Sequence, residues 1–228
     1  STSAHELEVL MAVHRTDDPN WLELALASLA DQSKRADAVV LVADGPLGAE
    51  LDGVIESRTG DLGIRRVALP ESRGLGAALA LGLGLCRAEL VARMDADDVA
   101  EPQRFALQTE SFREDSTLIV LGSNATLIDA SGGVIGERLM PLSAEAIRQQ
   151  VWAAPIIHPS VMFRRAPLVA IGGYDPSLRT RQDYDLWFRC VEAGYVMRNL
   201  DTPLLRYRVA GHGKHRDLGV VWRQALTG

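Results

Sequence analysis

The sequence predicts an α/β fold: a mostly parallel central sheet with helices on both faces and a small antiparallel addition. Three observations predict it. Over residues 8–114, short apolar runs alternate with longer helical patterns, the alternation that builds a parallel sheet. Three of the runs stop in polar residues, at His14-Arg15, at Asp44 and at Asp95 to Asp98. From Leu118 the pattern changes to a hairpin, Leu118 to Ile128 and Val134 to Leu139, joined by the turn-forming Asp129 to Gly133.

Glu8 to His14 (EVLMAVH) reads as a buried strand ending in polar residues. Pro19 and Asn20 open a helix to Ala30 that carries Trp21, Leu22, Leu24, Ala25, Leu26 and Leu29. Proline suits a first helical turn because the N–H it lacks has no helical partner there. Ala38 to Ala43 (AVVLVA) is a strand stopped by Asp44-Gly45-Pro46. A helix over Leu47 to Arg58 and a strand over Ile64 to Leu69 follow. Gly74 to Arg87 is an Ala/Leu-rich helix whose glycines are expected to permit close packing. Leu90 to Met94 (LVARM) is a strand running straight into Asp95, and Pro102 to Glu114 is a helix. Beyond the hairpin, Ser143 to Trp152 is a helix capped by Ser143, and Ser160 to Arg164 is a strand. Asp183 to Ala193 is a helix closed by Gly194. Tyr195 to Val209 holds two strand-like pieces around Thr202-Pro203, and Arg216 to Leu226 is a last helix. With no internal repeat or low-complexity linker, residues 1–228 read as one domain.

Composition narrows the class. With 47% hydrophobic and 24% charged residues the chain can bury a sizeable core without disulfide or metal. The net charge of -6 argues against a nucleic-acid partner, which would select for basic surface. Cys86 and Cys190 are isolated in apolar helical patterns and read as core residues. The polar start, Ser1 to Glu8, carries no signal-peptide core. The longest apolar run, Leu75 to Cys86, falls short of the roughly 20 residues that span a bilayer. The expected location is cytoplasmic, with peripheral contact at the inner face of a membrane left open.

In open α/β sheets, ligands bind outside the carboxyl ends of the strands. If the three strands with polar ends are parallel neighbours, those ends share one crevice. Asp95, Asp97 and Asp98 crowd three carboxylates into four residues, which costs Coulomb energy that a cation removes. Hard oxygen ligands suit Mg²⁺ or Mn²⁺ together with phosphate oxygens. The alternative is a solvated acidic turn before the helix at Pro102. Asp44 is suited to accept from a uracil or thymine N3–H or a ribose hydroxyl, or else to close an Asx turn. His14, Arg15 and Arg73 are placed to line a base-and-phosphate pocket, or are solvated surface residues. Asp183 and Asp185 open a helix, where a carboxylate can serve as a general base or simply as a cap. His158, His212 and His215 have no fixed spacing to the aspartates. Gly74-Leu-Gly76 is not a dinucleotide fingerprint, because Leu79 stands where the third glycine belongs.

Several stretches in order resemble the family-2 glycosyltransferases: LVADGPLG (41–48), the run over 70–108 containing MDADD and P-x-RF-x-x-Q, HPSVMFRR (158–165), GGYD (172–175) and QDYDLWFRCVEAGY (182–195). The resemblance spans about Val9 to Arg208. It implies the Rossmann-like GT-A fold, with a nucleotide-sugar-binding half over about 1–115 and an acceptor and catalytic half over about 116–228. It implies that Val13, His14 and Arg15 line the pocket of a nucleotide-diphosphate sugar, UDP- or dTDP-linked by preference, and that Asp44 binds its base or ribose; Arg73, by its place before Gly74, and Asp95 are expected to reach the diphosphate. Asp95 and Asp97 are then the DxD pair for Mn²⁺ or Mg²⁺, and Asp183 the base of a single inverting displacement onto a saccharide or lipid-linked saccharide. The chain departs from the family pattern at Ala43 and Pro46 (usually Asp and Ser), at Ser72 and Ala80 (often Asn), at Gln182 (usually Glu), and in a short basic C-terminal extension.

Two rival functions are testable. A sugar nucleotidyltransferase needs a Gly-rich basic loop after the first strand, and Arg15 to Pro19 (RTDDP) is acidic instead. A catalytically degenerate sugar-nucleotide-binding module is motivated by Gln182 and the missing asparagines, and opposed by retention of every carboxylate expected to act.

Overall fold

The computed structural model describes residues 6–209. The expected helix over Arg216 to Leu226, and with it His212 and His215, lies outside the described residues. The first half is a βα alternation: β1 (Leu7–Val13), α1 (Pro19–Ala30), β2 (Ala38–Ala43), α2 (Ala49–Leu62), β3 (Ile64–Ala68), α3 (Leu75–Leu85) and β4 (Leu90–Met94). There follow β5 (Val99–Ala100), α4 (Arg104–Glu114), β6 (Leu118–Ile128), β7 (Val134–Arg138), α5 (Ala144–Gln149), β8 (Met162–Arg164), α6 (Arg165–Ala170), α7 (Gln182–Glu192) and β9 (Val196–Arg208). All nine strands join one sheet in the order β3-β2-β1-β4-β8-β6-β9-β5, with β7 added to β6.

β1 to β4 are mutually parallel, and their order reverses direction at β1. The chain steps outward from β1 to β3, then α3 carries it back to β4 on the other side of β1. That reversal puts α3 on the opposite face from α1 and α2. Leu22, Leu26, Leu51 and Ile55 pack with β-strand residues Val9 and Met11 in one core, and Leu79 and Leu83 pack with Leu10 and Val40 in the other. α4 joins the first core through Phe105 and Phe112, while α5, α6 and α7 join the second through Ile147, Leu168, Leu186 and Trp187. The glycines of α3 do permit close packing: a Cβ on Gly82 would stand 2.3 Å from Leu10 Cδ1.

The expected elements mostly stand where the patterns put them, and the exceptions have local causes. The second helix starts and ends later than Leu47 to Arg58, at Ala49–Leu62, stopped by Gly63 in the left-handed region at φ 57°. The helix expected to reach Trp152 ends at Gln149 and continues as a 3-10 turn. β5 and α6 were too short for periodicity to reveal. The pieces expected around Thr202-Pro203 are one strand, β9. Its pairing with β6 shifts register on both sides of Asn124, which lies opposite Pro203. Asn124 fills the irregularity, donating to Asp201 O at 2.7 Å and accepting from Met140 N at 2.8 Å.

Candidate active site

The switch point between β1 and β4 is where a crevice must open, because the helices leave the sheet in opposite directions there. A cavity of about 390 Å³ opens at that end of the sheet. Ala12, Val13 and His14 from the end of β1 line it, with Asp44 from β2, Ser72, Gly74 and Leu75 from the β3–α3 connection, and Asp95, Ala96 and Asp97 from β4. Strand register makes this convergence: Val13 pairs with Ala43, which sets Asp44 beside His14, and Met11 pairs with Met94, which starts the acidic turn two residues earlier, beside Ala12. Asp44 N donates to Val13 O at 2.8 Å and locks the first two together.

Arg15 and Arg73 do not line this cavity. Arg15 lines a second pocket at the start of α2, with Leu47, Gly48 and Glu50. The Arg73 side chain is exposed, and the group it commits is its backbone N–H, donated to Asp44 Oδ1 at 2.7 Å. Asp44 is buried and crowded with donors: Ser72 Oγ at 2.9 Å and Gly74 N at 3.0 Å also reach it. It therefore fixes the β3–α3 connection while facing the cavity. Ser72, where the family often has Asn, supplies one of these bonds. Gly45 is required here, since its φ is +89° and a Cβ would stand 2.8 Å from Ser72 N.

The acidic turn after β4 has oxygens of Asp95, Asp97 and Asp98 within 4.8 Å of one another. Part of the charge compensation assigned to a metal comes from the protein. Arg93, 1% exposed in the middle of β4, pairs with Asp95 Oδ1 at 2.5 Å. Arg208 in β9 reaches the turn from behind, donating Nε to Asp97 O and its backbone N to Asp98 Oδ1, both at 2.8 Å. Its guanidinium lies 5.0 Å over the Trp21 ring. Asp98 is buried against this support, whereas Asp95 and Asp97 line the cavity. The hard carboxylate set fits Mg²⁺ or Mn²⁺, with Asp95 and Asp97 as the pair that faces the cavity.

Asp183 occupies the first turn of α7 and does not line the cavity, although it lies near enough to feel the charges of Arg93 and Asp95. Burial pushes its carboxyl up, against the pull of N–H groups at the helix start. Gln182, in place of the family's usual Glu, is buried beside it. Asp185 points elsewhere, pairing with Arg189, which also holds Ile171 O and Gly173 O and so docks α7 on the GGYD turn. His158 is a core residue: Nε2 meets Tyr174 OH at 2.9 Å, and burial holds its pKa well below the ordinary value.

Sequence reasoning missed three residues here. Asp17 lines the cavity, accepts from His14 N at 2.8 Å, and has its pKa raised by burial and by the neighbouring Asp97 and Asp95. It had been read only as part of an acidic loop. Arg93 was hidden because a single arginine inside an apolar strand leaves no periodic signal. Arg179 lines the cavity from the segment between GGYD and QDYD, a stretch with no motif.

A model of glycosyl transferase family 2 matches residues 8–171. The chain is 35% identical over 201 residues to the amylovoran biosynthesis glycosyltransferase AmsE of Erwinia amylovora, covering 88% of this chain and 75% of that one. It is 32% identical to an uncharacterized glycosyltransferase of Haemophilus influenzae, covering 94% and 80%. It is 28% identical to the Escherichia coli UDP-Gal:alpha-D-GlcNAc-diphosphoundecaprenol beta-1,3-galactosyltransferase, covering 96% and 80%. Among solved structures, S. aureus TarS 1-349 in complex with UDP superposes with a TM-score of 0.71 at 16% identity, over 90% of this chain and 60% of that one. The fold is thus GT-A, and the chain belongs to glycosyl transferase family 2.

Proposed function

We propose that this glycosyltransferase moves a sugar from a nucleotide-diphosphate donor to an acceptor hydroxyl with inversion, with a divalent metal, Mn²⁺ or Mg²⁺, on Asp95 and Asp97. The observation that carries the reading is the sharing of one cavity by those two carboxylates, His14 and Asp44 at the sheet's switch point. The nucleotide-binding half is residues about 1–115, with Val13, His14 and Asp44 toward the base and ribose. The acceptor half, about 116–228, contributes Asp183. Its carboxylate accepts the acceptor's hydroxyl proton as the new bond to the anomeric carbon forms and the bond to the diphosphate breaks, its electrons leaving with the phosphate. A raised pKa makes Asp183 a stronger base once ionised. When bound, the metal supplies Lewis-acid stabilisation of the departing diphosphate. Uridine is the preferred base, a choice supported by likeness to an enzyme named for a UDP-Gal donor. The same name, and that of the amylovoran enzyme, support a saccharide or lipid-linked saccharide acceptor in surface-polysaccharide synthesis. Among the described residues no helix is long and apolar enough to cross a membrane. A cytoplasmic site with peripheral contact at the membrane's inner face is part of the proposal.

A thermal-shift screen of nucleoside diphosphates with and without Mn²⁺ tests the donor. A ligand at a hundredfold excess over its dissociation constant stabilises by about 2.7 kcal/mol. The expected result is a metal-dependent shift for UDP or dTDP. Release of pyrophosphate rather than nucleoside diphosphate from a turnover mixture would point to nucleotidyl transfer instead. Tight donor binding with neither hydrolysis nor transfer, whatever the acceptor, would point to a degenerate binding module, the reading that Gln182 motivates.

A further inference from the structure

Four carboxylates line the cavity, those of Asp17, Asp44, Asp95 and Asp97, and the one Lys or Arg among its described lining residues is Arg179. A diphosphate entering this cavity meets repulsion from every side chain that no cation covers. Arg93 already offsets Asp95, so one divalent ion on Asp95 and Asp97 leaves about one positive charge toward the phosphates, fewer than a diphosphate carries. Arg179 is exposed and forms no ion pair among the described residues, so none of them holds its guanidinium.

Its backbone is committed. The turn before it is braced by Asp175, whose Oδ1 accepts from Ser177 N at 2.8 Å and Ser177 Oγ at 2.7 Å. That turn presses on the first turn of α3: a Cβ on Gly76 would stand 2.2 Å from Leu178 O, and one on Gly74 3.2 Å from Arg179 Cα. Gly74 is itself held by Asp44. A continuous set of contacts therefore fixes the root of Arg179 against the first turn of α3 at the cavity, while no described residue holds its long side chain.

We infer that Arg179 is a donor-binding residue, its guanidinium fork gripping the diphosphate of the nucleotide sugar from the α3 side of the cavity that it shares with Asp95 and Asp97. Planar bidentate geometry and permanent charge suit it to phosphate oxygens. The inference deepens the proposed function and rests on that reading of the cavity. It also explains why glycine stands at both 74 and 76, where a side chain would push the Arg179 turn off α3.

The test is calorimetric titration of UDP, with Mn²⁺ present, into the wild-type chain and into Arg179→Ala, Arg179→Lys and Arg73→Ala. Loss of a charge-assisted pair predicts a roughly ten- to hundredfold weaker dissociation constant for Arg179→Ala. Partial recovery is expected for Arg179→Lys, and a change under threefold for Arg73→Ala. Arg179 is exposed, so the variants should melt within a degree or two of the wild type. If the wild type binds neither UDP nor another nucleoside diphosphate, the reading of the cavity itself fails. If the wild type binds UDP and Arg179→Ala binds it equally well, only the role of Arg179 is overturned. If Arg73→Ala carries the loss instead, the phosphate-binding cation is Arg73.

Discussion

From β3 to β4 the sheet is parallel and held largely by apolar strand runs; from β8 to β5 it is mixed in direction and held by buried polar side chains. In the first region, Val39 to Ala43 and Val9 to Met11 are close to fully buried, and strands successive in the chain are joined through a helix. In the second, Gln108 Nε2 donates to Leu121 O at 3.0 Å and to Ser160 O at 2.8 Å, and Arg104 Nη2 donates to Arg93 O at 2.8 Å and Val161 O at 3.1 Å. Asn199 likewise donates to Pro141 O at 2.7 Å and Pro155 O at 2.9 Å. Ser160, Pro141 and Pro155 lie outside the strands, so side chains rather than ladder bonds complete their carbonyls. The difference also divides the labour proposed above: strand ends of the regular region face the donor, and the stitched region carries the base.

The largest effect expected from breaking that division is on turnover. Asp183→Asn should lower kcat by roughly 10²- to 10⁴-fold, the usual contribution of general acid–base catalysis, while leaving UDP affinity within about twofold. Paired measurements of turnover and calorimetric binding check it, and full turnover in Asp183→Asn would remove the base assignment. The pH profile sharpens the same point. Burial raises the Asp183 pKa, so the ionised base is lost as pH falls, and the acidic limb of kcat should lie above the ordinary carboxylate value of about 4. A limb at or below that value would contradict the burial argument.

The next effect is on stability, and it separates the two regions. Leu10→Ala, in the parallel region, should cost roughly 2–5 kcal/mol as a cavity. Gln108→Leu nearly conserves volume, yet it strands Leu121 O, Ser160 O and Arg104 Nε. At about 1–3 kcal/mol for each buried group left unsatisfied, it should cost several kcal/mol in a urea titration. A near-neutral Gln108→Leu would mean that the polar stitching is dispensable.

A smaller effect is expected where the regions meet the cavity. Asp44→Ala frees the β3–α3 connection from the bonds to Ser72, Arg73 and Gly74. Nucleotide affinity should fall roughly tenfold with a thermal midpoint lowered by only a few degrees, since a surface connection rather than the core is loosened. Unchanged affinity would leave Asp44 with neither a direct nor an indirect part in donor binding.

This contrast explains what the sequence let one read. β2 and β4 were placed to the residue because apolar runs bounded by Asp44 and Asp95 mark both ends of a buried parallel strand. Asp95 and Asp97 drew attention because three carboxylates in four residues are visible locally, and both line the cavity. β5 has two residues and α6 six, too few for any period to register. The roles of Arg93, Arg208 and Arg179 depend on contacts across long chain separations, such as Arg208 to Asp97 and Arg179 to Gly74, and no local pattern carries them. Arg73 drew attention through its place beside Gly74, yet the chain uses its backbone there.

On the reading proposed above, the acidic turn after β4 binds a diphosphate through a divalent ion. Calorimetric titration of UDP in Mn²⁺ and again in EDTA tests it most directly, with Asp97→Asn as the partner variant. The account predicts binding at least about tenfold tighter with Mn²⁺, and loss of that gain in Asp97→Asn, whose carboxylate faces the cavity without changing the turn's backbone support from Arg208. Equal affinity with and without the metal, or a metal gain that survives in Asp97→Asn, would contradict it.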